Sequence, residues 1–177
     1  MSIIENVVQA VVAKFKSQGA KVKTKRLSSD WKLAEKCFDE FLKGSILLGL
    51  NDLPYGTGNL LLFTWPQNPQ KVIAQLAVEG CWIWIDSSIS TFTLKDDNPF
   101  PKQDHSLLIS QTAFHVGQTI TAFKLWKLLP HLALEFSDGT ILVIHGNNGQ
   151  HESWGFDKRG SDTIGVYALP GGPISVG

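Results

Sequence analysis

The stretch Leu132-Ala-Leu-Glu-Phe136-Ser-Asp-Gly139-Thr-Ile-Leu-Val-Ile144-His145 decides how this chain is read. Two apolar runs flank Ser137-Asp138-Gly139, and Asp-Gly favours a tight turn because glycine accepts positive φ without steric cost. A hairpin is predicted, with strands over 132–136 and 140–145. A two-residue loop at Asp138-Gly139 sets Phe136 opposite Ile141, Leu134 opposite Val143 and Leu132 opposite His145. Leu132, Leu134, Phe136, Ile141 and Val143 then share one face. The other face keeps Ala133, Leu142 and Ile144 beside Glu135, so a sheet buried on both sides is expected, with the N-terminal helices as its cover.

Working outward, Leu107 to Phe114 and Thr119 to Trp126 read as further strands before the hairpin, and Glu152 to Phe156 and Thr163 to Leu169 as strands after it. Ile89 to Leu94 reads as a strand followed by the turn-rich loop Lys95 to Asp104. Asn59 to Trp65 and Cys81 to Ile85 are predicted strands. Between them Asn68-Pro69 reads as an N-cap with proline at the first helical position, opening a helix that Gly80 stops near Glu79. Ile3 to Phe15 has apolar residues four apart, on one helical face, with Ser2 and Glu5 as a capping box. Ala20 to Leu27 alternates like a lysine-edged strand. Ser28, Ser29 and Asp30 offer an N-cap for a helix whose stripe is Leu33, Ala34, Cys37, Phe38, Phe41 and Leu42, and Gly44 stops it.

The expected architecture is α+β, with N-terminal helices packed on a mostly antiparallel sheet. A single domain spans 1–170: a helical basic arm over 1–58, a strand–helix–strand unit (about 59–85) and loop over 59–104, and a β-meander over 105–169. Residues 171–177 read as a flexible tail.

An apolar share of 43% and a charged share of 18% exclude a disordered chain, because there is ample surface to bury. Net charge is zero but unevenly spread. Residues 1–43 carry nine Lys/Arg against five Asp/Glu, and residues 44–177 carry seven against eleven. A chain with no net charge lacks electrostatic protection against self-association, so a homodimer is one expectation. No stretch reaches the roughly 18 apolar residues that a membrane span needs, and Met1 to Val12 lacks a basic leader. Cys37 and Cys81 are expected as reduced thiols in a cytoplasmic protein.

All five histidines fall between 105 and 151. His131, His145, His151 and Glu152 are the candidate ligands of a metal-dependent hydrolase, since imidazole and carboxylate suit zinc or iron. No HExxH or HxH spacing supports that site, and ordinary polar residues at a hairpin end are the alternative. The cysteines read as small core residues rather than nucleophiles. No G-x-S-x-G elbow or phosphate loop is present, and no cofactor is called for. Lys14, Lys16, Lys21, Lys23, Lys25 and Arg26 form an acid-free basic run, which could contact nucleic acid or solvate a strand edge. Trp82 and Trp84 alternate on one strand face, as partner contacts if exposed and as core if buried.

The segment Val116-Gly-Gln-Thr-Ile120, the strand with Trp126, Leu132-x-Leu134-Glu-Phe136-Ser-Asp-Gly139-Thr-x-Leu142-x-Ile144 and Glu152-Ser-Trp154 resembles small, hairpin-rich bacterial domains, some of them immunity-type proteins that neutralise a toxin. The resemblance favours binding over catalysis and carries over no functional residue. With the lack of a catalytic constellation and the Trp-rich strands, it leads to the expectation of a noncatalytic protein-binding domain whose partner is another protein, with Trp82, Trp84, Glu152 and Trp154 as candidate contact residues.

Overall fold

The computed structural model describes residues 28–52, 58–86, 105–126, 130–146, 151–159, 164–170 and 172–177. The expected helix over 3–15, the basic run and the strand over 89–94 lie outside them. Helix α1 (Ser28–Phe41) forms where the apolar stripe and the Ser-Ser-Asp opening predict it. Its end is capped by Lys43 N–H on Phe38 O at 2.9 Å, and Gly44 turns away at φ 83°.

Strands β1 (Ile46–Asp52), β2 (Asn59–Thr64) and β3 (Ala74–Val78) follow as an antiparallel meander. The predicted helix over 68–79 is therefore corrected: the segment is a loop and then a strand, and residues 59–85 contain no strand–helix–strand unit. Ala74, Leu76 and Val78 are buried while Gln75 and Ala77 are only half-buried, a period of two that a helix cannot give. Asn68-Pro69 serves the loop, where Thr64 Oγ1 lies 2.7 Å from the Asn68 and Lys71 carbonyls.

β4 (Trp82–Ile85) precedes helix α2 (His105–Phe114), where the run Leu107 to Phe114 is read above as a strand. That reading is corrected too. Thr112 Oγ1 donates back to Leu108 O at 2.8 Å and Ser110 Oγ to Ser106 O at 2.8 Å, so the hydroxyls are satisfied inside the helix. The remaining strands are β5 (Ile120–Leu125), β6 (Leu132–Phe136), β7 (Ile141–Ile144), β8 (Trp154–Lys158), β9 (Gly165–Ala168) and β10 (Ile174–Val176). β10 pairs with β9, so the expected flexible tail instead ends in the last strand of a sheet.

Every described strand pairing is antiparallel. One sheet runs β1-β2-β3-β8-β9-β10 and the other β4-β7-β6-β5. The sheets meet where β1 and β5 begin, through a bridge from Ile46 to Thr119 and bonds such as Ile120 N–H to Ser45 O at 2.9 Å. Both strands shift register just there, at Leu47/Gly49 and Ile120/Ala122, which bends them from one sheet toward the other. A second junction has Glu79 and Gly80 N–H both on Ser153 O, at 3.1 and 3.0 Å.

The main core lies between the inner sheet faces and α1. Phe38 sits at its centre, with ring centroids 5.6 Å from Phe123 of β5 and 5.9 and 5.3 Å from Trp154 and Phe156 of β8. One α1 side chain thus ties both sheets together. The smaller sheet is buried on its other face as well, through Ile83, Ile85, Ala133, Ile141 and Val143. On the larger sheet, Tyr167 lies over Gly155 and Gly165, and a Cβ on Gly155 would come within 2.8 Å of the ring.

The β6–β7 hairpin exists, but its register differs by one residue from the two-residue-loop expectation. Leu134 pairs with Leu142 and Leu132 with Ile144. Phe136 N–H bonds to Thr140 O, leaving a three-residue turn over 137–139 with Gly139 at φ 83°. Leu132, Leu134 and Phe136 therefore share the core face with Leu142 and Ile144, and Ile141 and Val143 face the other way.

Candidate functional site

Three tryptophans were candidate contacts. Trp82 and Trp154 are buried, at 2% and 0% exposure, and belong to the core rather than to any surface. Trp154 Nε1 donates to Pro130 O at 2.6 Å, an anchor between β8 and the start of β6. Trp84 is half-buried, and Glu152 is exposed.

The metal set does not assemble either. Backbone pairing continues one residue past the strands, with His145 N–H on Cys81 O and Trp126 N–H on His131 O. This places Cys81, His145, His131 and Trp126 in a row across β4, β7, β6 and β5. The His131 and His145 rings are 4.9 Å apart, whereas His151 and Glu152 are exposed. Among the described residues no group of three or more His, Cys, Asp or Glu is arranged to hold a metal ion. His131 Nδ1 accepts from Gly146 N–H at 2.9 Å. Burial, with a smaller effect from His145, pushes the His131 imidazole down to about 3, and burial pushes His145 down to about 4.

Burial pushes Cys37 up to about 11 and also raises Cys81, so both hold their protons at neutral pH. Cys81 is exposed, not the core residue expected.

A different constellation forms at the opposite end of the hairpin. His115 follows the last turn of α2, and its Nδ1 lies 2.9 Å from Asp138 Oδ2 and 3.3 Å from Thr140 Oγ1. Asp138 Oδ1 accepts from Thr140 N–H at 2.9 Å and from the Thr140 hydroxyl. Burial raises the Asp138 carboxyl, but the hydrogen bonds from Thr140 and His115 outweigh it and hold the group below its ordinary value. The Trp84 indole stacks on the His115 ring, 4.1 Å between centroids and 25° between planes. Trp84 is itself fixed by Nε1 donating to Thr112 Oγ1 at 3.1 Å. Beside this cluster α2 and the turn after it leave large apolar side chains in solvent: Leu107 is 52% exposed, Phe114 84% and Val116 43%. Leu107 and Phe114 are seven residues apart and share one helical face.

Reading 107–114 as a strand hid this face. The signal that could have found it is Gly117, which adopts φ 91° just after the helix, the position where glycine commonly ends one. No helix among the described residues is long and apolar enough to cross a membrane. Compared with known proteins, the chain matches no family model, no curated protein and no solved structure.

Proposed function

We propose that this chain is a noncatalytic protein-binding domain and that the outer face of α2, not the tryptophans of the strands, is its contact surface. The observation that carries this reading is Phe114, a large aromatic side chain 84% exposed, with exposed Leu107 on the same helical face and exposed Val116 in the turn that follows. Isolated exposed apolar residues are ordinary, but several on one helical face mark interaction sites. Phe anchors of this kind bring binding energy by leaving water, and the rigid Trp84–His115 stack beside them costs little ordering entropy on binding. The hydrolase reading needs His151 and Glu152 beside His131 and His145, and among the described residues no such group of three or more forms.

The immunity-type role rests on the hairpin pattern between Val116 and Trp154, and it would make the partner a toxin. Affinity purification of the tagged chain from its native cells, run beside Phe114→Ser, tests both levels. One stoichiometric protein recovered by the natural chain and lost by Phe114→Ser is the expected result. A partner retained by the variant removes α2 from the contact. A partner whose toxicity the chain does not relieve in cells removes the immunity role and leaves the binding role intact.

A further inference from the structure

Resting on the reading of α2 as a contact surface, we infer that its partner presents a basic side chain flanked by apolar ones, an arginine or lysine that docks on His115 and Asp138 while its neighbours cover Phe114 and Val116. The polar element is already built. Donation of Nδ1–H to Asp138 at 2.9 Å fixes the neutral imidazole's tautomer and leaves Nε2 as an acceptor. Nε2 makes no hydrogen bond among the described residues and is not one of the buried unpartnered atoms, so it faces solvent. The stack on Trp84 at 4.1 Å prevents the ring from turning that acceptor away.

Charge decides what the acceptor meets. From His105 to Phe123 the chain holds no Asp, Glu, Lys or Arg, so α2 and the turn after it contribute no formal charge. Among the described residues Asp138 is the carboxylate bonded into the cluster, where Thr140 and His115 favour its charged form. Oδ1 already accepts from the Thr140 N–H and hydroxyl, whereas Oδ2 accepts only from His115 and has lone-pair capacity left. A carboxylate and a fixed imidazole acceptor set among Phe114, Val116 and Trp84 complement a cation carried on an apolar segment, and they disfavour an acidic one.

Selection of short random peptides displayed on phage, against the full chain at low salt, tests this directly. Parallel selections use Phe114→Ser, Asp138→Asn and, as a control acid away from the cluster, Glu152→Gln, each checked for an unchanged thermal transition. The expected outcome is enrichment of peptides with Arg or Lys beside Leu, Phe or Trp. The best of them should bind Asp138→Asn about tenfold more weakly, bind Glu152→Gln unchanged, and lose affinity as salt rises. His115→Gln, which keeps a polar group but loses the stack, should weaken the same peptide as well. Enriched peptides without basic residues, or equal binding by Asp138→Asn, would overturn the inference while leaving the α2 surface standing. A selection in which the natural chain enriches nothing beyond Phe114→Ser removes the surface and the inference together.

Discussion

The two ends of the β6–β7 hairpin hold histidines in opposite circumstances. At one end the His131 and His145 rings lie 4.9 Å apart, tilted by 33°, and burial keeps both neutral. At the other, His115 is tied to Asp138 and held open to solvent by Trp84. One residue type thus fills gaps in packing at one end and presents an oriented polar atom at the other. Chemical potential in a protein follows from the neighbours of a side chain, not from its identity, and sequence proximity of histidines does not make a site.

The sharpest break in the comparison is at the buried end. Gly146 abuts the Pro130 carbonyl so closely that a Cβ would overlap it, and both are backbone-constrained. Gly146→Ala should cost about 4 kcal/mol or more, seen as a strongly lowered urea midpoint or no cooperative transition at all. Next in size is acid. Unfolded histidine titrates near 6.5, whereas His145 and His131 in the fold hold off protons until about 4 and 3. The unfolded chain therefore binds more protons below 6.5, so stability is full above that pH and falls as pH drops toward 4. The loss should reach roughly 2 kcal/mol per ring at pH 5 as an upper figure, by denaturant titration at several pH values. Asp138 behaves in a lower window: its depressed carboxyl contributes stability above 3.8, lost only as pH falls through its still lower folded value. At pH 5 the buried end alone should have weakened, and a chain with His131→Phe and His145→Phe should lose the slope between 6.5 and 4.

Smaller again is Asp138→Ala, which removes the acceptor for Thr140 and His115 at a partly exposed turn and should cost about 1 kcal/mol in chemical unfolding. Smallest is Phe114→Ser. Its side chain stands in solvent, so stability should stay within about 0.5 kcal/mol of the natural chain while partner capture is lost. A large loss of stability from this substitution would mean that Phe114 is a packing residue after all.

Much of the architecture was legible. The α1 stripe, its stop at Gly44 and the strands around Ser137-Asp138-Gly139 rest on local chemistry that needs no tertiary context. The register was not, because Asp-Gly serves equally in a two-residue loop and as the end of a three-residue turn. The helix over 105–114 escaped because its apolar residues surround it: Leu108 faces the core while Leu107 and Phe114 face water, so no one-sided period exists to detect. The strand β3 was misread because Asn68-Pro69 can open a helix or round a hairpin loop, and only pairing with β2 and β8 decides. The site suffered with α2. His115 and Asp138 are 23 residues apart, and only the docking of the helix end on the turn brings them together.

The placement of Tyr167 over Gly155 and Gly165 has a consequence for how this sequence can vary over time. Its hydroxyl bonds to Asp157, which with burial pushes the phenol up to about 12, so the ring is pinned flat across both glycines. The three positions form one evolutionary unit: alanine at 155 or 165 becomes acceptable only after 167 has become small. Relatives of this chain should therefore show either two glycines with an aromatic ring or side chains at 155 and 165 with none, and mixed combinations should be missing.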